Sequence, residues 1–405
     1  MRSLLGFAVA SAVVAARNLL TSAAAAALPS SRLLIGYASW AQCDDKVIQA
    51  VEEGVNVVIW FSIDLAVNET TGRPEVFVRP DLDCIAEKAA ILKEKGLETT
   101  HLISIGGWNS PHPDTSNTAK DVYLEFDRWN REDVARGGFG GFDGIDWDVE
   151  GNDDLSSPFN ELTAACIKLM GEMSQLAKRD GYIVFMAPPE SYLDSATSAF
   201  SRSLLFGHPE WDALLEEPFT YHGRNTYGPL LSDKYGTTEL ADGEMVPTID
   251  IVTVQLYESY THILYNVTKK EQPLADYMVN WAASITDGWQ VDFASDPASD
   301  PAVGLSSQTI RVSPSQLVVG LICDEVIDSD RMLYLSPNQV EEADKALTKA
   351  DISVRGYGYW NMQCDGINTG VRLSAGLNAF LHTRKGVKGQ SGSNWRRTGK
   401  GLLDL

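Results

Sequence analysis

Eight short β-rich runs recur between residues 32 and 361: Leu33–Tyr37, Val55–Ile63, Thr99–Ile105, Phe142–Glu150, Tyr182–Ala187, Ile249–Tyr257, Gln316–Ile322 and Val354–Trp360. Most are continuous apolar runs, the pattern of parallel strands covered on both faces. Helical periods sit between several of them. Cys84–Lys95 is apolar at Ile85, Ala89 and Leu92; Asn160–Lys178 at Leu162, Ala165, Ile167, Leu169, Met173 and Leu176; residues 338–349 form a third. A strand-then-helix unit repeated eight times predicts an α/β fold, a single (β/α)8 TIM barrel. It occupies residues 32–382 as one domain, with no linker and no second domain. Two long βα-loop insertions swell it. Residues 190–248 are rich in Pro, Gly and aromatics (Phe206, Trp211, Phe219, Tyr221, Tyr227, Tyr235), and residues 258–315 hold a polar Asp/Pro stretch around Ser295 to Pro301. Both follow strand C-termini, so both are expected on the face that carries barrel active sites.

Charge narrows the partners. The net charge of the 405-residue chain is −22, which argues against nucleic acid and against an anionic membrane surface. Both ends are basic. Residues 1–27 carry Arg2 and Arg17 and no acid, and residues 383–405 carry Arg384, Lys385, Lys388, Arg396, Arg397 and Lys400 against Asp404. The body is therefore still more acidic, and its partner is expected to be neutral or cationic. The plain reading of most of these charges is solubility.

The apolar run Leu4 to Ala16 and the small residues Ala23 to Ala27 follow secretory signal grammar, so residues 1–27 are expected to be a signal peptide, with a transit peptide as the runner-up. The run is too short to span a bilayer, and no other stretch is apolar enough. The sequons at Asn68 and Asn266 fit secretion. The tail, 383–405, reads as a basic, solvated end. Five cysteines (Cys43, Cys84, Cys166, Cys323, Cys364) show no metal-ligand spacing. Their count is odd, so at least one is free or pairs between chains. Cys323 and Cys364 lie near the ends of neighbouring expected strands and could pair; two buried free thiols are the equal alternative.

One segment carries the chemistry. The fourth run contains Asp143-Gly-Ile-Asp146-Trp-Asp148-Val-Glu150. Every second residue of a strand faces the same way, so Asp146, Asp148 and Glu150 share one face, and Ile145, Trp147 and Val149 face the helix layer. Asp143 has the opposite parity, which gives it a structural role. Three carboxylates on an inner face lose solvation and repel one another, so at least one should keep its proton near neutral pH. Glu150, nearest the mouth, is the best placed general acid. An acidic strand end without chemistry is the bland alternative; this spacing should arise by chance at under ~1% in such a chain. A divalent metal site is the other alternative, but no His or acid at the neighbouring strand ends completes one. No metal and no cofactor is expected.

The segment resembles the catalytic signature of family 18 glycoside hydrolases, the chitinase family. Four further segments are similar to that family in order: Ser104-Ile-Gly106-Gly107-Trp108, Met186-Ala187-Pro188-Pro189-Glu190, Gln255-Leu256-Tyr257, and Trp360 in the place of the strand-eight tryptophan. Gly36-Tyr37 with Trp40 is similar to the first strand. The resemblance covers roughly residues 32–362 and leans toward plant class III-like and related bacterial and fungal enzymes. It implies retaining hydrolysis of β-1,4-linked N-acetylglucosamine polymers, chitin or its oligosaccharides; the chain itself is expected to be secreted and monomeric. The substrate's 2-acetamido oxygen would attack the anomeric carbon. Glu150 would protonate the leaving oxygen and later activate water. Asp148 would orient the acetamido group, Asp146 would share a proton with Asp148, and Tyr257 would donate to the acetamido carbonyl. Trp360 would floor the cleavage subsite, with Tyr37, Gln255, Met186, Trp108 and Gly107 as further substrate contacts.

Simpler roles stand beside these. Gly106 and Gly107 permit close backbone packing, Met186 is an ordinary core filler, and Trp108 divides evenly between subsite wall and packing. Trp40, Glu190, Tyr192 and Glu258 come last among the contact candidates, and Glu258 departs from the Asn or Asp of many relatives. The six histidines fall in no motif and default to packing or surface roles. Two other functions remain open: a chitinase-like lectin, which usually lacks one of the acids, and an endo-β-N-acetylglucosaminidase acting on N-glycans.

Overall fold

The computed structural model describes residues 27–204, 223–258, 261–295, 304–324 and 332–382. The expected signal peptide, apart from its last residue, and the basic tail lie outside these residues. So do Phe206, Trp211, Phe219 and Tyr221 of the first insertion, and most of the Asp/Pro stretch of the second.

The strands are β1 (Leu33–Tyr37), β2 (Val57–Val67), β3 (Pro74–Val78), β4 (Thr100–Gly106), β5 (Gly144–Asp148), β6 (Ile183–Met186), β7 (Thr237–Glu239), β8 (Met245–Pro247), β9 (Ile251–Gln255), β10 (Trp289–Val291), β11 (Gln308–Ile310), β12 (Leu317–Ile322) and β13 (Gly356–Trp360). The helices are α1 (Asp45–Glu52), α2 (Leu82–Glu94), α3 (Ala119–Arg128), α4 (Ala164–Arg179), α5 (His262–Thr268), α6 (Leu274–Asp287), α7 (Pro337–Lys349) and α8 (Leu373–Leu381). β1 pairs in parallel with both β2 and β13, so β1–β2–β4–β5–β6–β9–β12–β13 closes into an eight-stranded parallel barrel. These are the eight runs of the sequence, in order.

Two apolar layers hold the ring. Inside, Leu33, Ile35, Val57, Ile59, Leu102, Ile183, Phe185, Ile251 and Val318 fill the barrel. Outside, the alternate residues pack under the helices in a second, larger cluster that includes Ile145 and Trp147. The helix starts are capped locally. Thr163 accepts from Cys166 N–H ahead of α4, and Ser336 and Gln339 form a reciprocal capping box ahead of α7 with Pro337 in its first turn.

Three features depart from the sequence reading. β3 pairs antiparallel with the extension of β2 and adds a ninth strand outside the ring. The 258–315 segment is only partly an insertion. It contains α6, which buries Tyr277, Met278, Trp281, Ala282 and Ile285 at helical spacing and packs on α7; the short pair β10–β11 follows. The 190–248 segment, among its described residues, has no α-helix. A 3-10 turn at Gly228–Leu231 and the hairpin β7–β8 flank α4, whose Gln175 amide donates to the Lys234 and Thr237 carbonyls.

Two disulfides are present. Cys323–Cys364 ties the end of β12 to the loop after β13, and Cys43–Cys84 ties the segment before α1 to the first turn of α2. Cys166 is free and buried, and burial pushes its thiol up to about 12. No described helix is long and apolar enough to cross a membrane.

Candidate active site

β5 carries the acids up the barrel interior. Its ladder with β4 sets Ser104 beside Asp146 and Gly106 beside Asp148. Asp146 is fully buried. One of its oxygens, Oδ2, accepts from the Ser104 hydroxyl at 3.1 Å and from the Tyr37 hydroxyl at 3.3 Å; the other, Oδ1, has no protein partner. Burial outweighs these bonds and raises its pKa to about 7. Asp148 and Glu150 are buried and hydrogen-bonded to each other. Burial raises both pKa values, and the negative charge of Glu150 raises Asp148 further, so the pair holds a proton above the usual carboxylate range.

Gln255, at the end of β9, serves both acids. Its Nε2 donates to Asp148 Oδ1 at 3.0 Å and to Glu150 Oε1 at 2.8 Å, and it also meets the Ala187 carbonyl at 2.6 Å. Three acceptors around one nitrogen fix the orientation of this amide. Tyr257 is buried beside the acids. Burial, then the charges of Glu258, Glu150, Asp148 and Asp146, hold its pKa well above the usual tyrosine value, so its hydroxyl stays a donor. Trp360, half-buried, packs edge-on against Phe61 at 4.8 Å between ring centroids, with Tyr37 at 6.1 Å and Trp40 at 6.3 Å. Trp40 is 38% exposed.

A recess of ≈ 20 Å³ opens among these groups, lined by Tyr37, Asp148, Ala187, Gln255, Tyr257 and Trp360 together with Gly320 and Gly358. It has room for one group of water or methyl size.

The structure brings Asp146, Asp148, Glu150, Tyr37, Gln255, Tyr257 and Trp360 to this one end of the barrel. It does not bring Met186 there. Met186 is the register partner of Trp147 and packs with it in the outer apolar layer, so the expectation of a substrate contact is corrected. Its neighbours Phe185 and Ala187 face inward instead. Gly107 spends its N–H on the Asp148 carbonyl at 2.5 Å. At φ +105° a Cβ there would run into the Phe61 and Trp40 rings; Gly106, at φ +103°, would set a Cβ 2.6 Å from the Asp148 carbonyl oxygen. Both glycines let β4 approach the end of β5. Trp108 is half-buried and outside the recess, and its indole N–H donates to Asp153 Oδ1 at 3.0 Å. Asp143 sits at the opposite, N-terminal end of the barrel, where its carboxylate accepts from His101 N–H at 2.8 Å.

Several residues escaped the sequence reading. Ser104 lay in a quoted motif, and inward parity next to Asp146 could have singled it out. The half-buried His112 donates from Nε2 to the Glu150 carbonyl at 2.8 Å, and burial holds its pKa below the usual histidine value. Tyr192, a late contact candidate, and Tyr227, named only as an aromatic of the first insertion, reach the backbone on either side of Glu150, a role the sequence did not show. No local pattern marks them. Among the described residues, no group of three or more His, Cys, Asp or Glu is arranged to hold a metal ion.

No family model and no curated protein matches the sequence. Solved structures do match. A family GH18 chitinase from Chromobacterium violaceum aligns with a TM-score of 0.54 at 17% identity, over 87% of this chain and 84% of that one. The C-terminal domain of ChiA from Legionella pneumophila aligns with a TM-score of 0.54 at 16% identity, over 85% of this chain and 97% of that one. At these identities the likeness is one of fold: the chain shares the barrel of these proteins.

Proposed function

We propose that this chain is a retaining glycoside hydrolase that cleaves β-1,4-linked N-acetylglucosamine polymers, with Glu150 as its acid and base. The observation that carries the reading is the buried, mutually bonded pair Asp148–Glu150, held by one amide of Gln255 beside a methyl-sized recess. A two-carboxylate glycosidase needs its acids across the scissile bond, ~5 Å or more apart. Here both acids rise from one strand and bond to each other. That leaves the nucleophile to the substrate, and a 2-acetamido group is the group that can supply it.

The residues divide the work as follows. The sugar's apolar face stacks on Trp360. The acetamido methyl enters the recess between Ala187, Gly320 and Gly358, and the Tyr257 hydroxyl donates to the acetamido carbonyl. Asp148 accepts from the acetamido N–H and steadies the positive charge that develops as the ring closes. Glu150 gives its proton to the leaving oxygen and then takes one from water. The substrate is neutral and the body acidic, so charge neither steers nor opposes binding strongly. The two disulfides support an oxidising, extracellular setting, and the chain is proposed to act as a monomer.

The test is product analysis with chitohexaose, using wild type and Glu150→Gln. The expected result is shorter N-acetylglucosamine oligomers from wild type, and a rate lower by ~10² or more in the mutant with oligosaccharide binding retained. Near-normal turnover by Glu150→Gln contradicts the reading. No cleavage by either protein, with release from a high-mannose glycopeptide instead, moves the substrate to N-glycans.

A further inference from the structure

Val149 stands between the two acids, and its backbone has lost its strand partner. β5 and β6 form a regular parallel ladder below it: Ile183 N–H donates to the Asp143 carbonyl at 3.0 Å, and Ala187 N–H to the Trp147 carbonyl at 2.8 Å. The next donor in this ladder, for the Val149 carbonyl, is residue 189, a proline with no N–H. The acceptor in register for the Val149 N–H is the Ala187 carbonyl, and the Gln255 amide occupies it. A buried N–H and C=O left without partners would each carry the full cost of desolvation.

Tyr227 fills both places. Its hydroxyl accepts from Val149 N–H at 2.7 Å and donates to the Val149 carbonyl at 3.1 Å. The side chain is 1% exposed. Its ring stacks on Tyr192, with centroids 5.7 Å apart and planes 26° apart, and its own N–H donates to the Tyr192 carbonyl at 3.1 Å. The Tyr192 hydroxyl accepts from Gly151 N–H. The stacked pair thus grips residues 149 and 151, on either side of Glu150, while His112 holds the Glu150 carbonyl. The other edge is closed by β4 and its loop, through Gly107 N–H on the Asp148 carbonyl and Asn109 N–H on the Gly151 carbonyl.

We infer that Tyr227 is a positioning residue whose hydroxyl replaces the ladder bonds forfeited at Pro189 and at the Ala187 carbonyl and so fixes the direction in which Glu150 presents its carboxyl. The first insertion then acts beyond the shape of a groove wall: it completes the strand that carries the acids. The kinetic consequence rests on the hydrolase reading; the structural consequence does not.

The test compares Tyr227→Phe with Tyr123→Phe. Both delete one hydroxyl and keep the ring. The Tyr123 hydroxyl donates to Asp180, at the N-terminal end of the barrel, so it reports the cost of losing a hydroxyl bond elsewhere. Two readouts are taken. Amide hydrogen exchange at Val149 is expected to quicken ~10-fold or more in Tyr227→Phe and to stay as wild type in Tyr123→Phe. Turnover of chitohexaose is expected to fall ~10- to 100-fold in kcat with KM within about 3-fold, the pattern of a misdirected acid, and to hold in Tyr123→Phe. Wild-type exchange at Val149 and wild-type kcat in Tyr227→Phe overturn the inference. If wild type itself does not cleave chitohexaose, the hydrolase reading fails separately, and exchange at Val149 still decides this one. If Tyr227→Phe does not fold, Tyr192→Phe serves: faster exchange at Gly151 with a smaller fall in kcat supports the clamp, and no change in either overturns it.

Discussion

Three acids share one strand face, and very few neutral groups attend them: Ser104 and Tyr37 on Asp146, and Gln255 on Asp148 and Glu150. Asp146 shows what that costs. Its pKa of about 7 in the folded chain stands above the ~3.9 of an exposed aspartate. Between those values the folded state holds a proton that the unfolded state has released, so stability falls as pH rises through the window and is lowest above it. Asp146→Asn carries no such charge. It is therefore expected to exceed wild type in unfolding free energy at pH 8, by an amount on the order of a few kcal/mol and so with a higher Tm, and to match it near pH 4, while losing activity. A thermal melt series against pH checks the sign. Glu258 acts from outside the strand. After burial, Glu150 and Asp146, its charge adds to what raises Asp148, and it raises Tyr257 as well. Glu258→Gln should move the alkaline limb of the kcat/KM profile to lower pH; an unmoved limb means that this charge does not reach the pair.

The eight barrel strands were legible as elements because most are continuous apolar runs, buried on both faces. Parity within β5 sorted Asp146 and Asp148 inward and Trp147 outward, as found. The same parity, carried across the β5–β6 ladder, puts Met186 outward with Trp147; following the motif instead of the register is what misassigned it. The helix α6 was legible too, in the spacing of Tyr277, Trp281 and Ile285, but the polar stretch after it masked the segment as an insertion. Tyr227 was not legible. Its partner is a backbone orphaned by Pro189 some forty residues away, a relation that exists only once the barrel has closed. The disulfides divide the same way: strand order brought Cys323 and Cys364 together on paper, whereas Cys43 and Cys84 belong to loop and helix positions that no period fixes. Cys323 N–H also donates to the Trp360 carbonyl at 2.7 Å, so the Cys323–Cys364 bond braces the strand end that carries Trp360. Replacing both cysteines by serine should cost about 2–4 kcal/mol in denaturant unfolding, as expected for a closed loop of this length.

At the scale of the molecule, a ring of eight parallel strands gathers Tyr37, Asp146, Asp148, Gln255, Tyr257 and Trp360 from four separate strands to one mouth. The chain's net charge of −22 should attract a cationic glucosamine polymer at low salt, yet the proposed cleavage needs an acetamido group at the cleaved unit. A fully deacetylated hexamer should therefore bind in a salt-dependent way and remain uncut. The central claim is a single acid, Glu150, working with the substrate's own acetamido oxygen. The most direct measurement is time-resolved proton NMR of chitohexaose with wild type and Glu150→Gln. The first reducing ends released by wild type are expected to be β-anomers, which mutarotate later, and the mutant is expected to release none on the same timescale. First-formed α-anomers, or release by the mutant at the wild-type rate, would contradict that claim.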